Sequence, residues 1–241
     1  METELIEIDA QEGMARLLES FPNQILISAG SEKILISRRI ASSRIVLEEG
    51  AKLTFVLIGT DGWTGSTKLS FDFCGSDTEL LFLGFIVGTG EKTFNFETVS
   101  NHLKPRTKAH YYVRSAMFGA SSVDYKGTLI IEKPAQLADT YLAHHTLLLS
   151  ENSRARSIPA LEIEADDVKA GHAATIGKVD RELLFYLKSR GIPEDMATEM
   201  LIQGFFEGQL AMIPDEKTQE MAREGIMASL PFQLLEPLHA N

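Results

Sequence analysis

The sequence predicts a mainly β protein that ends in a small helical domain. From residue 24 to about residue 168, short runs rich in Ile, Val, Phe and Leu recur, broken by Gly, Asp, Ser and Thr. In Lys68-Leu69-Ser70-Phe71-Asp72-Phe73 the alternation is strict, which buries one face of a strand and wets the other. After Asp180 the apolar spacing changes from that of a strand to that of a helix.

In chain order, residues 1–22 form a short N-terminal segment, with a helix expected over 11–20 because Met14, Leu17 and Leu18 fall on one side. Strands are expected at 24–28, 33–37, 52–59, 68–74, 79–87, 92–99, 109–117, 123–132 and 141–149, and the β body is placed at 23–178. Gly50, Asp61-Gly62, Gly75-Ser76-Asp77 and Gly88-Thr89-Gly90 supply the turns. Such strands suit a sandwich, a barrel or a solenoid, and no exact repeat selects the solenoid. In the helical region, 179–241, Asp180 is a natural N-cap for a helix carrying Leu183, Leu184 and Leu187, closed by Gly191. Pro193 suits the first turn of a second helix, with Ala197, Met200, Leu201 and Phe205 as its stripe. Pro214-Asp215 starts a third, which ends by Pro231.

The formal net charge of -11 argues against a nucleic-acid partner and against docking on an anionic membrane. No apolar run approaches the roughly 20 residues that span a bilayer. The start, Met1-Glu2-Thr3-Glu4, is acidic where a signal peptide is basic, so a cytoplasmic protein is expected. The single cysteine, Cys74, excludes an internal disulfide. It also falls short of the about four thiolates that hold an iron–sulfur cluster.

Residues 157–192 combine four motifs: Pro159-x-Leu161-Glu162-Ile163, Asp166-Asp167-Val168, His172-Ala173-Ala174-Thr175 and Phe185-Tyr186-Leu187-x-Ser189-Arg190-Gly191-Ile192. Together these resemble the signature of the SufB/SufD family of the SUF iron–sulfur cluster assembly system. Weaker resemblance runs upstream through His144-His145-Thr146-Leu147-Leu148-Leu149-Ser150, a Tyr125-Lys126-Gly127 turn and Asn101-His102, and covers roughly residues 80–210. The resemblance implies a right-handed parallel β-helix followed by a helical C-terminal domain. It implies a SufC-type ABC ATPase gripping the helical domain, and pairing of two SufB/SufD-type subunits through their β-helices, with cluster building near that junction. SufD fits better than SufB, because SufB-type chains carry Glu where this one has Ala173, and several cysteines. Some SufD-type chains have Cys at the position of Ala170. The family's N-terminal helical region is largely missing here, so either self-pairing or a longer partner is expected.

His172 is the leading site candidate: the resemblance puts it near the subunit junction, and a neutral imidazole can bind iron or move a proton near pH 7. Asp166 and Asp167 could bind a cation, but adjacent Asp residues after a strand more often make a turn. His144 and His145 face opposite ways on a strand, one packed and one exposed, and His102 and His110 lack ligand spacing. Cys74 reads as a buried, inert thiol with nothing cationic beside it. Gly88-Thr89-Gly90-Glu91-Lys92-Thr93 is a hairpin-like turn and no phosphate loop, since Glu91 separates Gly from Lys. In the helical region Phe185, Tyr186, Arg190 and Phe205 are the candidate partner contacts, the Phe205-Phe206 pair leaving apolar surface beyond a core's needs. The function expected is a non-catalytic SUF assembly subunit that binds no cofactor alone and meets the cluster transiently within the complex. The alternative is a β-helical carbohydrate-active enzyme using Asp166 and Asp167.

Overall fold

The computed structural model describes residues 5–8, 15–18, 22–60 and 66–231. Fourteen strands wind into a solenoid: β1 (Leu5–Ile8), β2 (Ala15–Leu18), β3 (Gln24–Ile27), β4 (Glu32–Ser37), β5 (Ser43–Leu47), β6 (Lys52–Gly59), β7 (Ser66–Phe73), β8 (Glu79–Gly88), β9 (Thr93–His102), β10 (Lys108–Met117), β11 (Ser122–Ile131), β12 (Asp139–Leu148), β13 (Arg154–Ile163) and β14 (Lys169–Gly177). Odd-numbered strands form one seven-stranded parallel sheet and even-numbered strands another, so the chain alternates between sheets and each strand pairs with the one two before it. Three helices follow: α1 (Arg181–Ser189), α2 (Glu194–Leu210) and α3 (Glu216–Met227).

Strand alternation builds the core. Inward side chains stack coil upon coil about 4.8 Å apart, as parallel pairing dictates. Phe55, Phe82 and Tyr111 share one register row and pack at centroid distances of 5.5 and 5.6 Å. Phe71, from the opposite sheet, meets each of them edge-on between 5.8 and 5.9 Å. All four rings are fully buried, so this aromatic block adds to the burial that offsets chain entropy.

A second apolar cluster lies on the outer face of the even-strand sheet. Ile34, Ile36, Val56, Ile58, Leu83 and Phe85 are buried there under Ile202, Phe206 and Leu210 of α2 and Ala222 and Ile226 of α3. Those two helices thus pack on the solenoid wall. Their ends obey ordinary capping rules: Asp215 accepts from Thr218 N–H at 2.7 Å, and Asp180 does the same for α1 through Glu182 N–H at 2.8 Å. Pro193 stands at the N-cap of α2, one position before its first turn.

Several local expectations are corrected. Residues 15–18 form strand β2, where a helix was expected; the rest of that segment, with Met14, lies outside the described residues, as does the Asp61-Gly62 turn. Leu18 is buried while Leu17 is 45% exposed, the alternation of a strand. Strands β1, β5, β13 and β14 were not separately read from the sequence. The Tyr125-Lys126-Gly127 stretch is the middle of β11, where glycine admits the side chain of Leu142: a Cβ at Gly127 would lie 2.1 Å from Leu142 Cδ1. The turn at Gly88-Thr89-Gly90 is a coil corner between the two sheets, since β8 and β9 do not pair with each other. Corners stack as strands do: Ala120 N–H donates to Gly90 O at 2.7 Å, and Gly90 and Gly119 both hold positive φ, 63° and 65°.

Candidate functional site

The last coil places His172. Strand β14 ends the even-strand sheet and β13 ends the odd one, so each has a strand neighbour on one side only among the described residues. In parallel register, neighbouring side chains share a face. His172 pairs with Leu142, a core residue 1% exposed, so the histidine belongs to the inward-facing row. It is nevertheless exposed, because among the described residues no further coil covers it. Ile163 and Ile176 share this position: their register partners Ile131 and Thr146 are buried, yet each is 45% exposed. The solenoid therefore ends in an open mouth rimmed by two unpaired strand edges and floored by apolar side chains with His172 among them.

One coil inward, the same rows are sealed. His144 is fully buried, its Nε2 within 3.0 Å of Ser115 Oγ and 3.1 Å of Thr146 Oγ1, and burial pushes its pKa down to about 3. Two coils in, on the opposite wall, His102 contacts Ser100 and Thr107 and is pushed down by burial to about 4. Both are neutral at physiological pH. His145 points the other way, half-buried on the outer face, with Nδ1 2.6 Å from Thr175 Oγ1. His110 is likewise on the outer face, 3.3 Å from Asp139.

Asp166 and Asp167 are exposed in the corner between β13 and β14. Asp167 N–H donates to Gln136 Oε1 at 2.9 Å and its carbonyl accepts from Leu137 N–H at 2.6 Å, so the pair stacks on the preceding corner as a turn. Cys74 is half-buried where full burial was expected, and Arg44 and Lys104 lie close enough to favour its thiolate; burial and Asp72 outweigh them and push the thiol pKa up. Among the described residues, no three His, Cys, Asp or Glu side chains converge as a metal site.

Helix α1 buries none of its residues. Phe185 is 73% exposed and Tyr186 52%, with Leu183 beside them and Arg190 stacked 5.2 Å over the Tyr186 ring. The sequence pattern marks this helix as amphipathic without revealing that its apolar side meets solvent. Phe205 and Phe206 separate differently: Phe206 is buried 6.2 Å from Phe85, and Phe205 is half-buried beneath Arg114 at 5.1 Å.

The family model for the SUF system FeS cluster assembly, SufBD core domain, matches residues 36–205, a span that holds the mouth, His172 and α1. The chain belongs to the SufBD family. Among similar proteins, an iron–sulfur cluster assembly SufBD family protein of Mycobacterium bovis is 35% identical over 173 residues, 68% of this chain and 43% of that protein. The iron–sulfur cluster assembly protein SufD of Bacillus subtilis is 36% identical over 151 residues, 63% of this chain and 34% of SufD. A Mycobacterium leprae SufBD family protein is 33% identical over 187 residues, 74% of this chain and 46% of its own length. The chain thus spans less than half the length of these relatives. Within the described residues, no helix of this SufBD member is long and apolar enough to cross a membrane.

Proposed function

We propose that the chain is a non-catalytic, SufD-like subunit of a cytoplasmic SUF assembly complex. In this reading it pairs through the open mouth of its β-helix with a SufB-type subunit or a second copy of itself, and docks a SufC-type ABC ATPase on its helical region. The open mouth carries the proposal. A long unpaired parallel edge with exposed isoleucines recruits another strand or aggregates, and pairing with a second β-helix removes the liability. His172 then lies inside the junction, where a neutral imidazole can ligate iron passing through as cargo or carry a proton. The exposed apolar side of α1 supports ATPase docking, with Phe185, Tyr186 and Arg190 as its contacts. Phe205 drops to a supporting role, because it is packed against Arg114.

Cluster assembly in cells that depend on this chain tests the reading: His172→Ala is expected to fold, to pair and to bind the ATPase, but to support less iron–sulfur enzyme activity. Complementation equal to wild type would remove His172 from the function.

A further inference from the structure

Outside the mouth, one cleft combines a half-buried cation with uncommitted polar groups. It opens between α2 and the outer face of β10 and β12, has a volume of about 230 Å³, and is lined by Tyr112, Arg114, Tyr141, His145, Gly208 and Gln209 among others. That volume is below the several hundred Å³ usual for drug-sized ligands and suits a molecule of small-metabolite size.

Arg114 is the centre of this cleft. Its guanidinium donates one hydrogen bond to the Phe205 carbonyl and lies 5.1 Å over the Phe205 ring. Among the described residues it has no carboxylate partner, and burial lowers its pKa. A half-buried guanidinium with most of its five N–H donors unspent calls for an anion. In a chain with net charge -11, Arg44, Arg106, Arg156 and Arg223 pair with carboxylates and Arg38, Arg39, Arg154, Arg181 and Arg190 are exposed to water, so Arg114 stands apart as a half-buried guanidinium with no carboxylate partner among the described residues.

The cleft is built before any ligand arrives. Gln209, 1% exposed, donates through Nε2 to Gly84 O at 3.0 Å and Tyr112 O at 2.9 Å, which pins α2 to the sheet and fixes the orientation of the amide. Its Oε1 is buried and meets no donor among the described residues. Gly208 of α2 stands directly beside the guanidinium: a Cβ there would lie in van der Waals contact, 3.7 Å from Arg114 Nη1. His145 supplies no second positive charge, since burial and Arg114 together favour its neutral form. One fixed charge matches a monoanion better than a phosphate dianion.

We propose that this cleft binds a small hydroxy- or amino-carboxylate, its carboxylate on Arg114 and its hydroxyl or ammonium against the Tyr112, Tyr141 and His145 side chains of the lining.

Thermal unfolding of the chain with increasing L-lactate or L-serine tests the proposal, with acetate, inorganic phosphate and chloride at matched ionic strength as comparisons. A ligand that binds only the folded state raises the midpoint in a saturable, concentration-dependent way. The expected result is such a rise with lactate or serine, at least tenfold weaker apparent binding of acetate, and loss of the rise in Arg114→Gln. Gly208→Met, which fills the cleft and keeps the arginine, is expected to lose it too and carries the test if Arg114→Gln does not fold. No saturable response to either acid, an unchanged response in both variants, or an equal response to phosphate would overturn the assignment; the last outcome marks a general anion contact.

Discussion

His102 lies flat on Phe73, one coil away in register, with ring centroids 4.5 Å apart and planes 4° apart. A protonated imidazole would lose the dry stacking environment and must give up one of its two hydroxyl contacts as an acceptor. Its pKa therefore falls to about 4, and that of His144 to about 3, while an unfolded chain titrates near 6.5. The unfolded state binds more protons as pH falls, so the contribution of both histidines is full above about pH 6.5 and is lost as pH falls towards the folded values. Urea unfolding between neutral pH and pH 5 is expected to show a loss of roughly 2 kcal/mol for each histidine. In His102→Gln the slope should shrink by that share. An unchanged slope in this variant would show that His102 titrates normally.

Gly127 and Leu142 form a second interior pair, from facing sheets. A methyl at Gly127 would sit 2.1 Å from Leu142 Cδ1. Gly127→Ala is expected to cost about 1–3 kcal/mol by overpacking. Leu142→Val, which withdraws the offending carbon, should recover part of that loss in a double-mutant cycle. Additive costs would mean the two side chains do not meet.

These pairs show where the sequence was readable and where it was not. Strict alternation in Leu69, Phe71 and Phe73 marked a half-buried strand, and Asp180 and Asp215 marked helix starts, because both signals are local. The solenoid left no repeat to find because its coils change length. Gln24 pairs with Arg44, 20 residues on; Lys52 with Glu79, 27 on; Ser122 with Arg154, 32 on. A drifting period erases self-similarity, so only the family resemblance chose the solenoid among β folds. The turn at Tyr125-Lys126-Gly127 came only with the family resemblance, inside a stretch whose own pattern is that of a strand, and the reason for the glycine, Leu142, lies on the other wall. His172 was found through the motif around it; that it faces inward at an uncovered end follows from strand register, which one segment does not carry. The clasp of Arg114 on Phe205 joins residues 91 apart in sequence and had no local signal.

The two helical faces make opposite predictions. Phe206 is buried against Phe85, so Phe206→Ala should cost about 3–5 kcal/mol and loosen α2 from the sheet. Phe185 is 73% exposed, so Phe185→Ala should leave the unfolding midpoint within about 0.5 kcal/mol of wild type. The same variant should weaken retention of a SufC-type ATPase in pull-down. Equal retention by Phe185→Ala and Tyr186→Ala would move the docking surface away from α1.

The open mouth is the central claim, and the mass of the assembly formed on co-expression with a SufC-type ATPase, with and without a SufB-type subunit, tests it most directly. The account predicts a complex containing two β-helical subunits and the ATPase. Ile176→Arg, which puts a charge at the rim of the mouth, should reduce it to a single β-helical subunit that still holds ATPase. A chain that stays monomeric under every combination, or a pair unaffected by Ile176→Arg, would contradict pairing through this end of the solenoid.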